Sequence, residues 1–337
     1  MNAISRMARR ITTVVLAIVL MAGAVLLGQT REKGPWWPSP HGAKDQAGNS
    51  NYITPEKIAK AVRLAKTGQV YELGHMYEAR MPGNDMRPYY LNVPPTSGQK
   101  DGQITAHGEY FTGSIGQMGT SYDSLGHQGR MVKMADGTLT PVYYNGFTEQ
   151  ELTGRSFGSA GLEALGIEQM KPIVTRGILI DVAAYKGVPV LETGYEVTSA
   201  DLRGALAKQG LADDTIERGD AVLLHYGWGP YWSEPQKYNK DGGFFAPGIG
   251  MDAARWLAAK GIVMVGADTC CVQIMPYPGG LNQQTPHHEL FFNGGLFLEN
   301  MDLTALARDR VYEFLYVGVA ERIKGATGSP VRPLAIR

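Results

Sequence analysis

Short apolar runs alternate with amphipathic stretches through the second half of this chain. Residues 177–181 (GILID) and 221–225 (AVLLH) have the length and composition of buried strands, the first ending in a carboxylate. Residues 262–265 and 311–319 predict two more. Between them, residues 198–206 open on Thr-Ser-Ala-Asp-Leu, which is how a helix starts, and 251–259 is helical in pattern. Upstream, Thr54 as cap, Pro55 in the first turn and the apolar Ile58, Ala61, Val62 and Leu64 predict a helix that Gly68 ends. A short strand follows at 70–73 and another at 109–118. The polar, Pro-containing stretch 81–101 between them predicts a long surface loop or lid. Strands alternating with helices predict an α/β fold with a core sheet flanked by helices.

The first thirty residues break this pattern. Arg6, Arg9 and Arg10 precede an uncharged, mostly apolar run at 11–28, the order of a secretory signal, with Ala22, Gly23 and Ala24 as small residues at a cleavage site. The apolar run continues past that site. An uncleaved N-terminal anchor is therefore the rival reading, about 18 residues being near the lower limit for spanning a bilayer. Either way residues 1–30 stand outside the fold, leaving 31–337 as one domain of an exported chain, periplasmic or secreted. Residues 29–44, with Pro35, Pro38 and Pro40 around Trp36 and Trp37, read as an extended lead-in. Two adjacent tryptophans are costly to leave in water, so they are expected to cover a groove or a subunit contact.

Composition narrows the function classes. Hydrophobic residues at 44% and charged ones at 19% are ordinary for a globular chain. Lys plus Arg balances Asp plus Glu, 32 against 32, which gives no reason to expect nucleic acid as a partner. Membrane contact is expected only through an uncleaved N-terminus. No G-x-G-x-x-G follows a strand and no Walker-type loop is present, so dinucleotide and P-loop readings fail. The only cysteines, Cys270 and Cys271, are neighbours, a spacing that disfavours a disulfide between them. They read as small buried apolar residues after a strand, with a soft metal ligand or a reactive thiol as the alternative.

Two windows are rich in chemistry. In residues 117–127 (QMGTSYDSLGH) a carboxylate, Asp123, and an imidazole, His127, lie four apart among small residues that let backbone approach a ligand. A turn Asp with a His at its edge fits the same spacing. The second window holds His287, His288 and Glu289, then an apolar stretch that ends at Glu299 and Asn300. Glu299 closes a predicted buried strand, where a carboxylate is costly unless paired or metal-bound. Imidazole with carboxylates suits a divalent ion such as Zn²⁺ or Mn²⁺.

These residues resemble the cyclase superfamily, which includes kynurenine formamidase and isatin hydrolase. Window 117–127 is similar to its H-x-G-T-H-x-D-x-P-x-H motif. Further resemblance runs over 45–55 (DQAGNSNYITP), 176–182 (RGILIDV), 219–232 (GDAVLLHYGWGPYW), 266–269 (GADT), 287–303 and 325–335 (GATGSPVRPLA). It implies a single α/β domain of the swivelling β/β/α kind, with a central mixed sheet flanked by helices, assembled as a homodimer or homotetramer. It puts Asp123 in the place of a metal ligand and His127 in that of the catalytic histidine. His287 and Glu299, twelve apart, stand where binuclear members carry further ligands, which favours His287 over His288. The departures are Gln117 and Ser121 in place of two motif histidines, and Leu125 in place of the proline. Gln117 can still ligate through its carbonyl oxygen, and Ser121 through its hydroxyl, both weaker donors for Zn²⁺.

The reaction implied is hydrolysis of an amide, formamide, lactam or lactone-type bond. A divalent metal, Zn or Mn, on Asp123, His287, Glu299 and Gln117 would activate water, and His127 would move the proton. Thr120 and Ser121 would bond the substrate or its oxyanion. Tyr122, Trp228 and Tyr231, with Trp36 and Trp37, would line a pocket for an aromatic or other planar small molecule. The loss of two histidines keeps a second class open: a metal-free or non-catalytic periplasmic binding protein on the same fold.

Overall fold

The structure, a computed structural model, describes residues 34–82, 87–95, 101–102, 104–154, 161–239, 244–280 and 283–337. The expected export segment lies outside the described residues. No helix among the described residues is long and apolar enough to cross a membrane.

In chain order the first strands are β1 (Val70–Glu72), β2 (Tyr89–Asn92), β3 (Tyr110–Gly113), β4 (Ser121–Asp123), β5 (Arg130–Lys133), β6 (Leu139–Val142), β7 (Ile173–Asp181) and β8 (Glu196–Val197). Then come β9 (Ala221–His225), β10 (Gly248–Ile249), β11 (Met264–Ala267), β12 (Leu296–Glu299), β13 (Glu313–Gly318), β14 (Gly328–Pro330) and β15 (Leu334–Ile336). One mixed sheet has the order β1-β15-β13-β7-β9-β11-β12-β4-β14. Its centre, β7-β9-β11-β12, is parallel, and the strands outside it pair antiparallel. A parallel sheet is covered on both faces, which is why Val222, Leu223 and Leu224 are apolar at successive positions and fully buried. The cover includes two helices that pack on each other, Ser199–Lys208 and Met251–Lys260. The first is capped by Thr198; the second buries Ala253, Ala254, Trp256 and Leu257 and ends at Gly261, φ 68°. The sheet curls, so that Gly74, just past β1, bridges Met301, just past β12.

The predicted helix at Thr54 runs from Pro55 to Val62, and its Lys57 reaches Asp220 at 2.7 Å. Arg176 of β7 meets the same fully buried carboxylate at 2.5 Å, so the charge is paired from two sides and pins this helix to the sheet.

Several expectations change. The stretch 81–101 is not all loop: it carries β2, which pairs with β3 as a two-stranded ribbon. Tyr90, Leu91 and Tyr110 on that ribbon are each more than half exposed, so its apolar content does not mark a buried strand. A second ribbon pairs β5 with β6, in a stretch for which no strand was expected. Trp36 and Trp37 are both used within the chain. Trp36 stacks on Phe292 at 4.0 Å and donates its indole N–H to Tyr143 O, while Trp37 is buried against Gly146.

His75 lies flat on Trp232, ring centroids 4.4 Å apart. Burial lowers it from 6.5 to about 4, against the opposing charge of Asp302. The unfolded chain therefore takes up this proton first. Stability is full above about 6.5 and falls as pH drops towards 4, by on the order of 2–3 kcal/mol from this residue. Denaturant titrations at pH 7 and pH 4.5 should record that fall, and His75→Phe, which keeps the stack, should reduce it.

Candidate metal centre and active site

Alternation along β4 turns Tyr122 to one side and Ser121 and Asp123 to the other. Tyr122 enters the core, its hydroxyl 2.5 Å from that of Tyr316. The antiparallel neighbour β12 sets Glu299 opposite Ser121 and Phe297 opposite Asp123, which brings both carboxylates to one face. The third group comes from the helix Pro286–Phe292, where Pro286 in the first turn starts the helix just before His287. The His287 ring lies flat on Phe297, centroids 3.9 Å apart.

Asp123, His287 and Glu299 are buried, and one ligand atom from each lies within 4.8 Å of the others. His287 Nε2 is 3.9 Å from Asp123 Oδ2 and 3.6 Å from Glu299 Oε1. His287 Nδ1 is 2.7 Å from Gln273 Oε1, an acceptor, so the proton sits on Nδ1 and the Nε2 lone pair faces the carboxylates. Asp123 Oδ2 and Glu299 Oε2 are buried with no hydrogen-bond partner among the described residues. Burial, and then the Asp123 charge, push Glu299 well above the usual carboxylate range. Burial likewise pushes His287 down to about 4. Two buried carboxylates, each with an oxygen that lacks a hydrogen bond, beside an imidazole lone pair are costly as they stand, and a divalent cation among them removes the cost. The three residues fit such an ion. Because Gln273 sets the tautomer and aim of His287, Gln273→Ala should weaken metal binding about 10–100-fold in a metal-buffered titration.

His127 stands at the edge of this group, its Nε2 4.0 Å from Asp123 Oδ2 and its side chain 24% exposed. It can thus reach both the buried carboxylate and an entering molecule. Gln117 donates its Nε2 to Asp123 Oδ1 at 2.8 Å, and so holds Asp123 rather than turning its oxygen to an ion. Ser121 shares the site face, its hydroxyl making one long contact, 3.4 Å, to Gly119 O.

Three expected substrate residues are not brought to the site. Thr120 commits its hydroxyl to Asn300 O at 2.5 Å and accepts the His75 N–H, tying two loops together. Tyr122 is on the wrong side of its strand. Trp228 is buried with its indole N–H on Leu191 O, a layer behind Tyr238. Tyr231 packs on Trp228, and the Trp36 and Trp37 rings border a separate cleft with Arg130 and Arg218. His288 closes a capping box with Thr285 and approaches Gly129 O at 3.2 Å. Cys270 and Cys271 are both free. The hydrogen bond with Cys270, and then burial, raise the Cys271 thiol well above its usual range, which does not suit a reactive thiolate.

A second carboxylate–imidazole pair, Asp181 with His225 at 2.8 Å, lies at the ends of β7 and β9. The nearby Asp268 accepts backbone N–H groups from Tyr226 and Trp228, and Asp181 also caps the helix after β7. Asp268 and Asp181 Oδ1 are thus committed to backbone N–H groups and to His225.

Beside the metal group is a narrow cavity lined by Arg87, Gln117, Met118, Tyr238, Phe244 and Cys270, among others. Arg87, Tyr238 and Gln273 were not legible as site residues. Arg87 sits in a polar stretch without a motif, and Gln273 follows the cysteines with nothing to mark it. Asn300 had a signal in its place after Glu299. Its φ of 55° and its hydrogen bonds to Gly119 O and Tyr238 make it the turn that follows the ligand.

The family model named Cyclase matches residues 71–273, more than half of the chain. The chain belongs to the Cyclase family. A crystal structure described as a novel cyclase is 30% identical, with TM-score 0.75, over 88% of this chain and 96% of that one. Isatin hydrolase A from Ralstonia solanacearum is 18% identical, TM-score 0.56, over 84% of this chain and 98% of its own. Isatin hydrolase A from Labrenzia aggregata is 17% identical, TM-score 0.57, over 82% and 98%. These last two share the fold. A comparison with curated proteins gave no match. The matched span holds Asp123 and His127 but stops before His287 and Glu299, so the grouping of Asp123 with those two rests on the geometry above.

Proposed function

We propose that this cyclase hydrolyses a small amide, formamide, lactam or lactone-type bond at the Asp123–His287–Glu299 centre. The observation that carries the reading is the convergence of two buried carboxylates, each with one oxygen that lacks a hydrogen bond, on the lone pair of a tautomer-locked histidine. The hydrolase class also agrees with the names of the isatin hydrolases that share the fold.

When bound, a divalent ion such as Zn²⁺ or Mn²⁺ supplies Lewis acidity, lowering the pKa of water and polarising a carbonyl. Asp123, His287 and Glu299 would hold it. His127 takes a proton from the attacking water and returns it to the leaving nitrogen or oxygen, the shuttle for which imidazole chemistry is suited. Gln117 keeps Asp123 in its rotamer through Oδ1 and leaves Oδ2 free. Ser121 is the hydroxyl available to bond the substrate oxygen. The buried walls around Phe297 and Phe291 exclude water from the carboxylates.

Elemental analysis of gently purified protein, beside a turnover assay on formamides, isatin-like lactams and lactones, tests the proposal. We expect close to one divalent metal per chain and turnover of at least one class. Protein that binds these compounds tightly, without metal and without turnover, would instead be the binding protein that Gln117 and Ser121 leave open. Export and assembly as a homodimer or homotetramer belong to this proposal. N-terminal sequencing of the cellular protein and light scattering check them.

A further inference from the structure

Arg87 stands beside the Glu299 carboxylate without hydrogen-bonding it. Its Nη1 is 3.9 Å from Glu299 Oε2, one of the oxygens that lack a hydrogen bond, and that separation is itself too long for one. The guanidinium carbon lies 5.5 Å from the centre of the Phe244 ring. Among the described residues no acceptor takes up the rest of its donor fork. The side chain is 27% exposed, placed between the buried oxygens and the outside.

We propose that Arg87 is the carboxylate receptor of this site. It takes the acid group of a small ligand, and under the hydrolase reading above that group is the product acid. Hydrolysis joins the water oxygen to the acyl carbon and breaks the C–N or C–O bond. One water proton passes to the leaving atom and the other is released, so a carboxylate is always formed where the reaction occurs. Charge favours the assignment. A divalent ion on Asp123 and Glu299 is neutralised by them, which leaves Arg87 with one positive charge uncompensated. It is the only ionised side chain among the described residues lining the adjoining cavity. A guanidinium fork matches a carboxylate with two parallel hydrogen bonds. An arginine that served only to balance Glu299 would be expected to hydrogen-bond it, and among the described residues Arg87 does not.

The experiment uses the full chain loaded with Mn²⁺, titrated calorimetrically with benzoate and, as the uncharged control, benzamide. Wild type, Arg87→Lys and Arg87→Met are compared, with metal content and melting temperature recorded for each. Benzoate affinity should fall at least about tenfold in Arg87→Met and by less in Arg87→Lys, with benzamide binding the same in all three. Wild type that does not distinguish benzoate from benzamide overturns the proposal, as does equal benzoate affinity in wild type and Arg87→Met. Parallel weakening of both ligands also overturns it, since Arg87 would then be supporting Glu299 alone. Should Arg87→Met fail to fold, Arg87→Lys decides: unchanged benzoate affinity there rejects the bidentate receptor. The hydrolase reading fails by a different result, no turnover of any substrate class by the Mn²⁺-loaded wild type, which leaves the benzoate comparison standing.

Discussion

Asp123→Asn is expected to lower turnover by at least about a thousandfold and to strip the purified protein of divalent metal. The substitution is nearly isosteric. Its remaining oxygen can still accept from Gln117 Nε2, which now meets Asp123 Oδ1 at 2.8 Å, and the backbone pairing of β4 with β12 is untouched. What disappears is the negative charge at Oδ2, the atom 3.9 Å from His287 Nε2. In the metal-free state that charge is a liability, because it is buried without a hydrogen bond and raises the neighbouring Glu299. Metal-free Asp123→Asn should therefore melt no lower than the metal-free parent, and the two should differ chiefly in what metal adds. Elemental analysis and calorimetry with and without chelator make the comparison. A variant that keeps its metal and more than about a tenth of its turnover would remove Asp123 from the centre.

His127→Ala should cost about 10²–10⁴ in kcat while leaving metal content intact. The separation of the two effects is the point. His127 lies 4.0 Å from Asp123 Oδ2 and is partly exposed, whereas His287 is enclosed and locked by Gln273. Loss of a group that moves a proton lowers kcat, with KM changed little; loss of a ligand removes metal first. Steady-state kinetics on the metal-loaded variant, with stoichiometry measured on the same sample, distinguish the two. Metal lost from His127→Ala would make it a ligand instead of a proton carrier.

Much of the fold was legible. The runs at 177–181 and 221–225 read as buried strands because the central sheet is parallel and covered on both faces, so burial makes every position apolar. Thr54 and Thr198 announced their helices through capping chemistry that acts within one turn of chain. Strands β4, β14 and β15 were not legible. They are three residues each and owe their existence to the partners that curl around them. In the ribbon of β2 and β3, β3 falls within the strand predicted at 109–118, whereas β2 lies in a stretch predicted as surface loop, its side chains facing solvent with no buried pattern to mark them.

In the site, Asp123, His127, His287 and Glu299 were identified from their spacing and resemblance, and the fold brings them together from one β-strand, the loop after it, a helix and a second β-strand. Thr120, Tyr122 and Trp228 were expected at the substrate and are not there. Neighbours in sequence on a strand point to opposite faces, so a motif window mixes ligands with core. Tyr122 between Ser121 and Asp123 shows this directly.

The sequence by itself determined the α/β class, the family and which ionisable groups are the unusual ones, because these depend on local pattern and residue type. Only the tertiary structure decided what those groups do to one another. The pairing of β4 with β12 sets two carboxylates on one face, Gln273 turns the His287 lone pair towards them, and Arg87 arrives from a segment with no motif of its own. Distances of a few ångströms between residues far apart in the chain control charge, tautomer and ligand geometry. No local pattern encodes them.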